Sequence, residues 1–102
     1  MKVPNHPTLI RRMRDARVRQ LVARCPPLAA CLGRQRSGGW HVTLKEEGKT
    51  RTVYVPRDLT EEVKACVEEH RRLKTLLREI TRLQLALIRL HRTDRARRGN
   101  RP

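Results

Sequence analysis

Arginines near the two ends of the chain are the residues whose type and spacing point most clearly to chemistry. Residues 1–39 contain nine basic side chains and one acidic side chain, and residues 92–102 contain five and one, so most of the net charge of +15 lies at the ends. A planar guanidinium can donate two parallel hydrogen bonds to one phosphate, and this pattern therefore predicts binding to a polyanion, most often DNA or RNA. The predicted phosphate-binding residues are Arg11, Arg12, Arg14, Arg17, Arg19, Arg24, Arg92, Arg95, Arg97 and Arg98.

Cysteine and histidine are the residues that could hold a zinc ion. A structural zinc site needs four ligands at short spacing, whereas Cys25 and Cys31 supply two and only His6 or His41 could join them locally. Cys66 falls in a strongly helical segment, and an odd number of cysteines does not suit a secreted disulfide framework. We therefore expect reduced cysteines, no bound metal and no cofactor.

The sequence contains no convincing catalytic motif. Gly48-Lys49-Thr50 matches the end of a phosphate-binding P-loop, but that motif requires a glycine where Thr43 stands and a helix rather than a strand after it. No nucleophile elbow, zinc-protease motif or acidic metal-binding triad occurs. We expect a protein that is not an enzyme.

A helix must position the basic residues near the N-terminus. Thr8 can cap it, and residues 9–24 contain no glycine or proline before Cys25-Pro26-Pro27 ends it. Arginines surround most of this helix, so little apolar surface is left for burial. Residues 27–32 could add one helical turn, and residues 34–39 have the composition of a flexible linker.

A β-hairpin is predicted between residues 40 and 55, where apolar and polar side chains alternate. If Glu47-Gly48 is the turn, the pairs across the hairpin are Trp40 with Val55, Val42 with Val53 and Leu44 with Arg51. An isolated hairpin is marginal in water, so its apolar face must pack on another element, and the helix that follows is the nearest candidate.

The strongest structural signal is a long helix over residues 60–92, with Asp58 or Thr60 as its cap and no glycine before Gly99. Apolar residues repeat along it in heptads, which is typical of a coiled coil or an antiparallel helix pair. Leu85 and Ile88 add a second apolar patch outside this seam. A chain of 102 residues can hardly bury the seam alone, so we expect a homodimer. The predicted interface residues are Leu73, Leu76, Ile80, Leu83, Leu87 and Leu90.

These elements predict a mainly α protein with a β-hairpin, that is, a small α+β fold. The expected organisation is a basic N-terminal arm and linker (1–39), the hairpin with the long heptad helix (40–92) and a disordered basic tail (93–102). No segment is apolar and long enough for a transmembrane helix, and the N-terminus lacks the apolar core of a signal peptide. We expect a cytoplasmic protein.

The run from Gly48 to Pro56, GKTRTVYVP, precedes a Leu-rich helix that contains His70-Arg71-Arg72-Leu73-Lys74. Over about residues 40–89 the chain resembles an uncharacterised family of short prokaryotic proteins that are often encoded near transposases. The resemblance implies the hairpin and helix, and no established molecular role. Members of that family tend to carry a C-x4-C-x-C cluster and a His-Gly-Pro-Tyr stretch, which together could hold zinc. Here only Cys25 and Cys31 remain, and Arg36-Ser37-Gly38-Gly39 replaces the second stretch.

Two hypotheses follow. The first is a nucleic-acid-binding accessory protein, linked to a mobile element, whose basic ends contact the phosphate backbone with little sequence specificity. The second is a protein-interaction subunit whose heptad helix and Leu85/Ile88 patch dock on a larger partner such as a transposase. In the second hypothesis the arginines are compositional or bind an acidic protein surface. The sequence leaves DNA and RNA equally open.

Overall fold

The computed structural model contains two long helical elements and one antiparallel sheet. A short 3-10 turn, Arg57–Leu59, lies between the sheet and the second helix. The structure describes residues 1–99, and their side chains as far as Arg97. No helix within this part of the chain is long and apolar enough to cross a membrane. The elements, in chain order, are α1 (Pro7–Arg19), β1 (Cys31–Arg34), β2 (Trp40–Glu46), β3 (Lys49–Val55) and α2 (Thr60–Gly99). The small α+β fold is thereby confirmed.

The chain divides into two compact units that share α2. The helical unit comprises Met1–Val22 and Lys74–Pro102, and the sheet unit comprises Ala23–Leu73. The division falls within α2, so the first part of this helix serves the sheet and the second part serves α1.

The β2–β3 hairpin of the sheet unit has the predicted register. Trp40 pairs with Val55, and Val42 pairs with Val53. Glu47 and Gly48 form the turn, with φ angles of 51° and 78°. Two successive residues with positive φ match the type I′ turn, whose twist suits a two-residue hairpin loop. The position of the turn therefore fixes which side chains share the apolar face.

Strand β1 corrects the expectation of a helical turn followed by a flexible linker. Residues 31–34 pair with β2, and Leu32 lies opposite Val42. The connection closes as a turn in which the Gln35 N–H donates to the Gly39 carbonyl at 2.7 Å. Gly38 has a φ of 91° in this turn, which a glycine adopts without steric cost. The glycines near residue 38 therefore mark a β-turn and not a loose connection.

Close approach between β1 and β2 requires a glycine at position 33. Gly33 lies opposite His41. A Cβ atom built on Gly33 would lie only 2.8 Å from His41 Nε2. The side chain of His41 therefore occupies the space that any larger residue at position 33 would need.

The sheet packs on the first part of α2. Val42 on β2 and Val67 on α2 are buried and form the apolar centre of the sheet unit. Lys64 Nζ lies 4.5 Å from the centroid of the Trp40 ring, close enough for a cation–π interaction. The β2 side of the hairpin's apolar face is thus covered, whereas Val53 on β3 is 53% exposed, so the predicted covering of this face is only partial.

Glu69 ties the segment before β1 to α2. It is the one buried charged residue among those the structure describes, with 5% of its surface exposed. Its carboxylate accepts hydrogen bonds from Arg72, with Nε at 2.6 Å, and from the backbone N–H of Arg24. These bonds favour the charged carboxylate and lower the pKa of Glu69 to about 2. The Leu28 N–H also donates to the Cys66 carbonyl at 3.0 Å, so residues 24–28 run along α2.

In the helical unit, α1 packs antiparallel against α2. Arg14 Nη1 donates to Gln84 Oε1 at 2.9 Å, and Arg17 lies 3.3 Å from Glu79, so the two sequences advance in opposite directions. Ile10 is the only residue of α1 that is fully buried. The helix is shorter than the predicted span of residues 9–24. It begins at Pro7, because proline suits the first helical turn, and the predicted Thr8 cap is wrong.

This pairing gives the heptad seam of α2 a partner within the same chain. Leu76 and Leu83 are buried, and Ile80, Leu87 and Leu90 are partly buried, all within the helical unit. Helix α1 therefore covers part of this seam. The homodimer through these residues stays a prediction, to be tested by sedimentation, and the seam it would use is already partly covered.

Helix α2 extends further than expected. We predicted a disordered tail over residues 93–102, but the helix continues to Gly99, and the Thr93 hydroxyl donates to the Arg89 carbonyl at 3.0 Å. No helix-breaking residue occurs before Gly99, which accounts for the continuation. Residues 100–102 of the predicted tail lie outside the described residues.

Replacing Glu69 with Gln should weaken the dependence of stability on pH in acid. Because the pKa of Glu69 in the folded chain is about 2 against an ordinary value of 4.5, its stabilising effect is complete above pH 4.5 and is lost as the pH falls toward 2. Wild-type protein should therefore lose stability more steeply over this window than Glu69→Gln, measured by urea unfolding at each pH. Glu68→Gln is the control, because Glu68 is exposed in its pair with Arg71. Identical acid profiles for all three proteins would contradict this role.

Replacing Leu83 with Ala should unfold the helical unit more readily, at a cost of about 2–5 kcal/mol, because a fully buried leucine leaves a cavity. Leu77→Ala removes the same atoms from a residue that is 55% exposed and should change stability by roughly 0.5 kcal/mol or less. The free energies can be compared by urea unfolding followed by helical circular dichroism. Equal losses in the two variants would show that α1 does not cover the seam at Leu83.

Candidate nucleic-acid interface

The positive charge of the chain is segregated between the two units. The helical unit contains 15 basic and 3 acidic side chains, a net formal charge of +12, whereas the sheet unit contains 10 and 7, a net charge of +3. The two basic ends of the sequence thus belong largely to one unit. Any interface for a polyanion is therefore best sought on α1 and the second part of α2.

The predicted arginines of α1 divide into two groups. Arg14 and Arg17 are half-buried against α2, where Arg14 bonds Gln84 and Asp15 and Arg17 bonds Glu79. They hold the two helices together and are the least available of the set. Arg11, Arg12 and Arg19 are exposed and can reach a ligand in solvent.

The other predicted arginines lie in three different settings. Arg92, Arg95 and Arg97 are exposed on the last turns of α2. The side chain of Arg98 lies outside the described residues. Arg24 is exposed but belongs to the sheet unit, where its backbone N–H is bound to Glu69. The structure therefore groups Arg24 with the sheet and not with the other predicted residues.

Sequence reasoning missed four exposed basic residues of α2 that belong to the helical unit: Lys74, Arg78, Arg82 and Arg89. They were overlooked because charge was counted along the chain and not around the helix. Spacings of four and seven place Arg78, Arg82 and Arg89 on one helical face. This periodicity is the feature of the sequence from which these residues could have been predicted.

Carboxylates do little to neutralise this surface. Asp15 lies 3.0 Å from Arg14, and Glu79 lies 3.3 Å from Arg17. Two of the three acidic residues in the helical unit are therefore paired with Arg14 and Arg17, which are half-buried. Asp94 is the third. The exposed guanidinium groups outnumber the carboxylates that could compete for them.

A cleft of about 660 Å³ lies where the beginning of α1 meets the last turns of α2. We call it the terminal cleft. The antiparallel pairing brings Arg11 from one basic end of the sequence and Arg97 from the other to the same cleft. Helix α1 starts at its wall with Pro7, and neither a side-chain cap nor an acidic first-turn residue neutralises this positive helix end. The lining residues are Asn5, Pro7, Arg11, Leu87, Leu90, His91, Thr93, Asp94 and Arg97.

Trp40 lies in the sheet unit, and cations of the chain itself contact its ring. Lys64 Nζ is 4.5 Å and the Arg34 guanidinium carbon 5.6 Å from the ring centroid. The ring is half-buried in the hairpin, as the sequence indicated, and is a poor platform for stacking a base.

The cysteines do not assemble a metal site in the described part of the chain. Cys25 Sγ lies 3.7 Å from the Ala65 carbonyl oxygen, and burial and the neighbouring Cys66 raise the pKa of its thiol. Cys31 is exposed on β1. Among residues 1–99, no three His, Cys, Asp or Glu side chains lie close enough together to hold a metal ion.

Elemental analysis of the purified protein should therefore give much less than one zinc ion per chain. A structural zinc ion would contribute part of the folding free energy, so its removal would unfold the protein. Because we expect no such ion, a chelator should leave the circular dichroism spectrum unchanged. One zinc ion per chain would contradict this prediction, and Cys25 and Cys31 would then be the first ligands to replace.

Comparison of the chain with protein-family models, curated proteins and solved structures finds no match. The resemblance to transposase-associated proteins stays a prediction.

Proposed function

We propose that this chain is a small, non-enzymatic accessory protein that binds nucleic acid through its helical unit. The contacts go to the phosphate backbone, with little sequence specificity. The observation that carries the proposal is the net charge of +12 on a unit whose three carboxylates leave most of its arginines exposed. Such a surface gains affinity by releasing the counterions that surround nucleic acid.

The type and spacing of the exposed residues support phosphate contacts. Arg78 and Arg89 lie on one face of α2 and are separated by about 16 Å along the helix axis. Duplex DNA presents roughly ten phosphates over that length, counting both strands. Guanidinium groups at this spacing can bind several phosphates at once, and such contacts carry no direct information about base sequence.

In this proposal, the nucleic acid that the protein binds is the DNA or RNA of a mobile element. The mobile-element part rests on the sequence resemblance alone. The phosphate contacts rest on the chemistry of the helical unit, and they do not depend on which nucleic acid is bound.

A second candidate function is a subunit that docks on a larger protein such as a transposase. The observation that favours it is a group of exposed apolar residues on α2, namely Leu77, Leu85 and Ile88, which are 43–55% exposed. Leu85 and Ile88, three residues apart, are neighbours on the helix surface, and Leu77 lies two to three turns earlier on the same side. In that case the basic residues would contact an acidic protein surface.

Replacing Arg12, Arg19 and Arg92 with Ala should weaken nucleic-acid binding and make its salt dependence shallower. Each phosphate contact that is lost should remove about 0.9 from the slope of log affinity against log salt for duplex DNA. Fluorescence anisotropy at several salt concentrations measures this slope for DNA and RNA. The matched control replaces Lys45, Lys49 and Arg57, three exposed cations of the sheet unit, and should change the slope less.

Two outcomes would contradict the proposal in different ways. Absence of binding to both DNA and RNA at low salt would reject nucleic-acid binding and favour the protein-docking subunit. If the two triple variants reduced the slope of log affinity against log salt equally, the helical unit would not be the binding surface.

A further inference from the structure

We propose that the terminal cleft binds a terminal phosphate of a nucleic-acid strand, together with the nucleotide that carries it. This inference rests on the proposed function and deepens it, because it assigns one substrate feature to one site. The exposed face of α2 would bind phosphates along a strand, and the terminal cleft would bind its end.

The cleft brings together two guanidinium groups from opposite ends of the sequence. Arg11 comes from α1 and Arg97 from α2, and both line the cleft. Within the part of the chain that the structure describes, neither makes an ion pair or a side-chain hydrogen bond. Two such groups can together surround one phosphate with charge-assisted hydrogen bonds. His91 on the same wall can donate a further hydrogen bond.

The start of α1 adds to this positive potential. Pro7 is at the first helical position, and the 13-residue helix has no side-chain cap and no acidic residue in its first turn. No residue of α1 itself therefore neutralises the positive end of the helix dipole. An anion in the cleft would be attracted by the helix end and by the two guanidinium groups together.

Size and lining indicate a ligand larger than a simple ion. The volume of about 660 Å³ falls within the range of about 300–1,000 Å³ that is typical of small-molecule sites. Leu87 and Leu90 supply an apolar wall on which a base or sugar can pack. Asn5 supplies polar groups that can bond a sugar hydroxyl or a base amino group.

Charge favours a terminal phosphate over an internal one. A phosphomonoester carries a charge of roughly −1.5 to −2 at neutral pH, whereas a phosphodiester inside a strand carries a single negative charge. Arg11, Arg97 and the helix terminus outweigh the one carboxylate in the lining, that of Asp94, so the cleft remains net positive and attracts the greater charge more strongly. The mixed lining also suits a nucleotide at the end of a strand, whose base is more easily separated from its neighbours.

Three oligonucleotides of one sequence test the inference: one with a 5′-phosphate, one with a 3′-phosphate and one with neither. Fluorescence anisotropy at fixed salt should show about tenfold tighter binding to one of the two phosphorylated strands, and that strand identifies the end recognised. Equal affinity for all three, with salt-dependent binding intact, would overturn end recognition alone. No binding to any of them would overturn the proposed function as well.

Two matched pairs of variants locate the effect. Arg97→Gln and Arg11→Gln should abolish the preference for the phosphorylated strand, because both side chains line the cleft. Arg95→Gln and Arg12→Gln remove the same charge from neighbouring exposed positions outside the cleft and should retain the preference, although total affinity falls. Circular dichroism confirms that each variant is folded. Loss of the preference in all four variants, or in none, would overturn the assignment to this cleft.

Discussion

Contact between α1 and the heptad seam of α2 is the interaction on which the helical unit depends. Helix α1 has five arginines in 13 residues and one fully buried side chain, Ile10. It therefore has little apolar area with which to pack. Leu83, also fully buried, contributes the corresponding apolar surface of α2. The two inward arginines of α1 add hydrogen bonds to Gln84 and Glu79 at the same contact. These few interactions determine which arginines remain outside and available.

The antiparallel direction of this contact also explains how two distant basic segments can act together. Arg11 and Arg97 are 86 positions apart in the sequence, yet they line one cleft. If the two helices packed in parallel, the start of α1 would lie beside the first turns of α2 in the helical unit, and Arg11 would be far from Arg97. The shared cleft therefore follows from the helix packing. This packing brings together the two guanidinium groups that we propose to bind a terminal phosphate.

Sequence predicted the parts of the fold that depend on local periodicity. Alternation and the Glu47-Gly48 turn gave the hairpin register, and heptads gave the seam. Strand β1 was missed because its four residues, CLGR, show no alternation of apolar and polar side chains, and the close approach of Gly33 to His41 is visible only in the folded sheet. The heptad pattern of α2 indicates that another helix packs on the seam, but it does not indicate which helix. The basic ends that form the candidate site are visible in the sequence, but their meeting at one cleft depends on tertiary packing.

We propose that the helical unit is the surface that binds nucleic acid. Chemical modification of arginines, read by mass spectrometry with and without an oligonucleotide, tests it residue by residue. The account predicts that bound nucleic acid protects Arg12, Arg82 and Arg89 of the helical unit. Arg51 and Arg57, exposed in the sheet unit, should react as in the free protein. Protection confined to Arg51 and Arg57, or equal in the two units, would contradict the account.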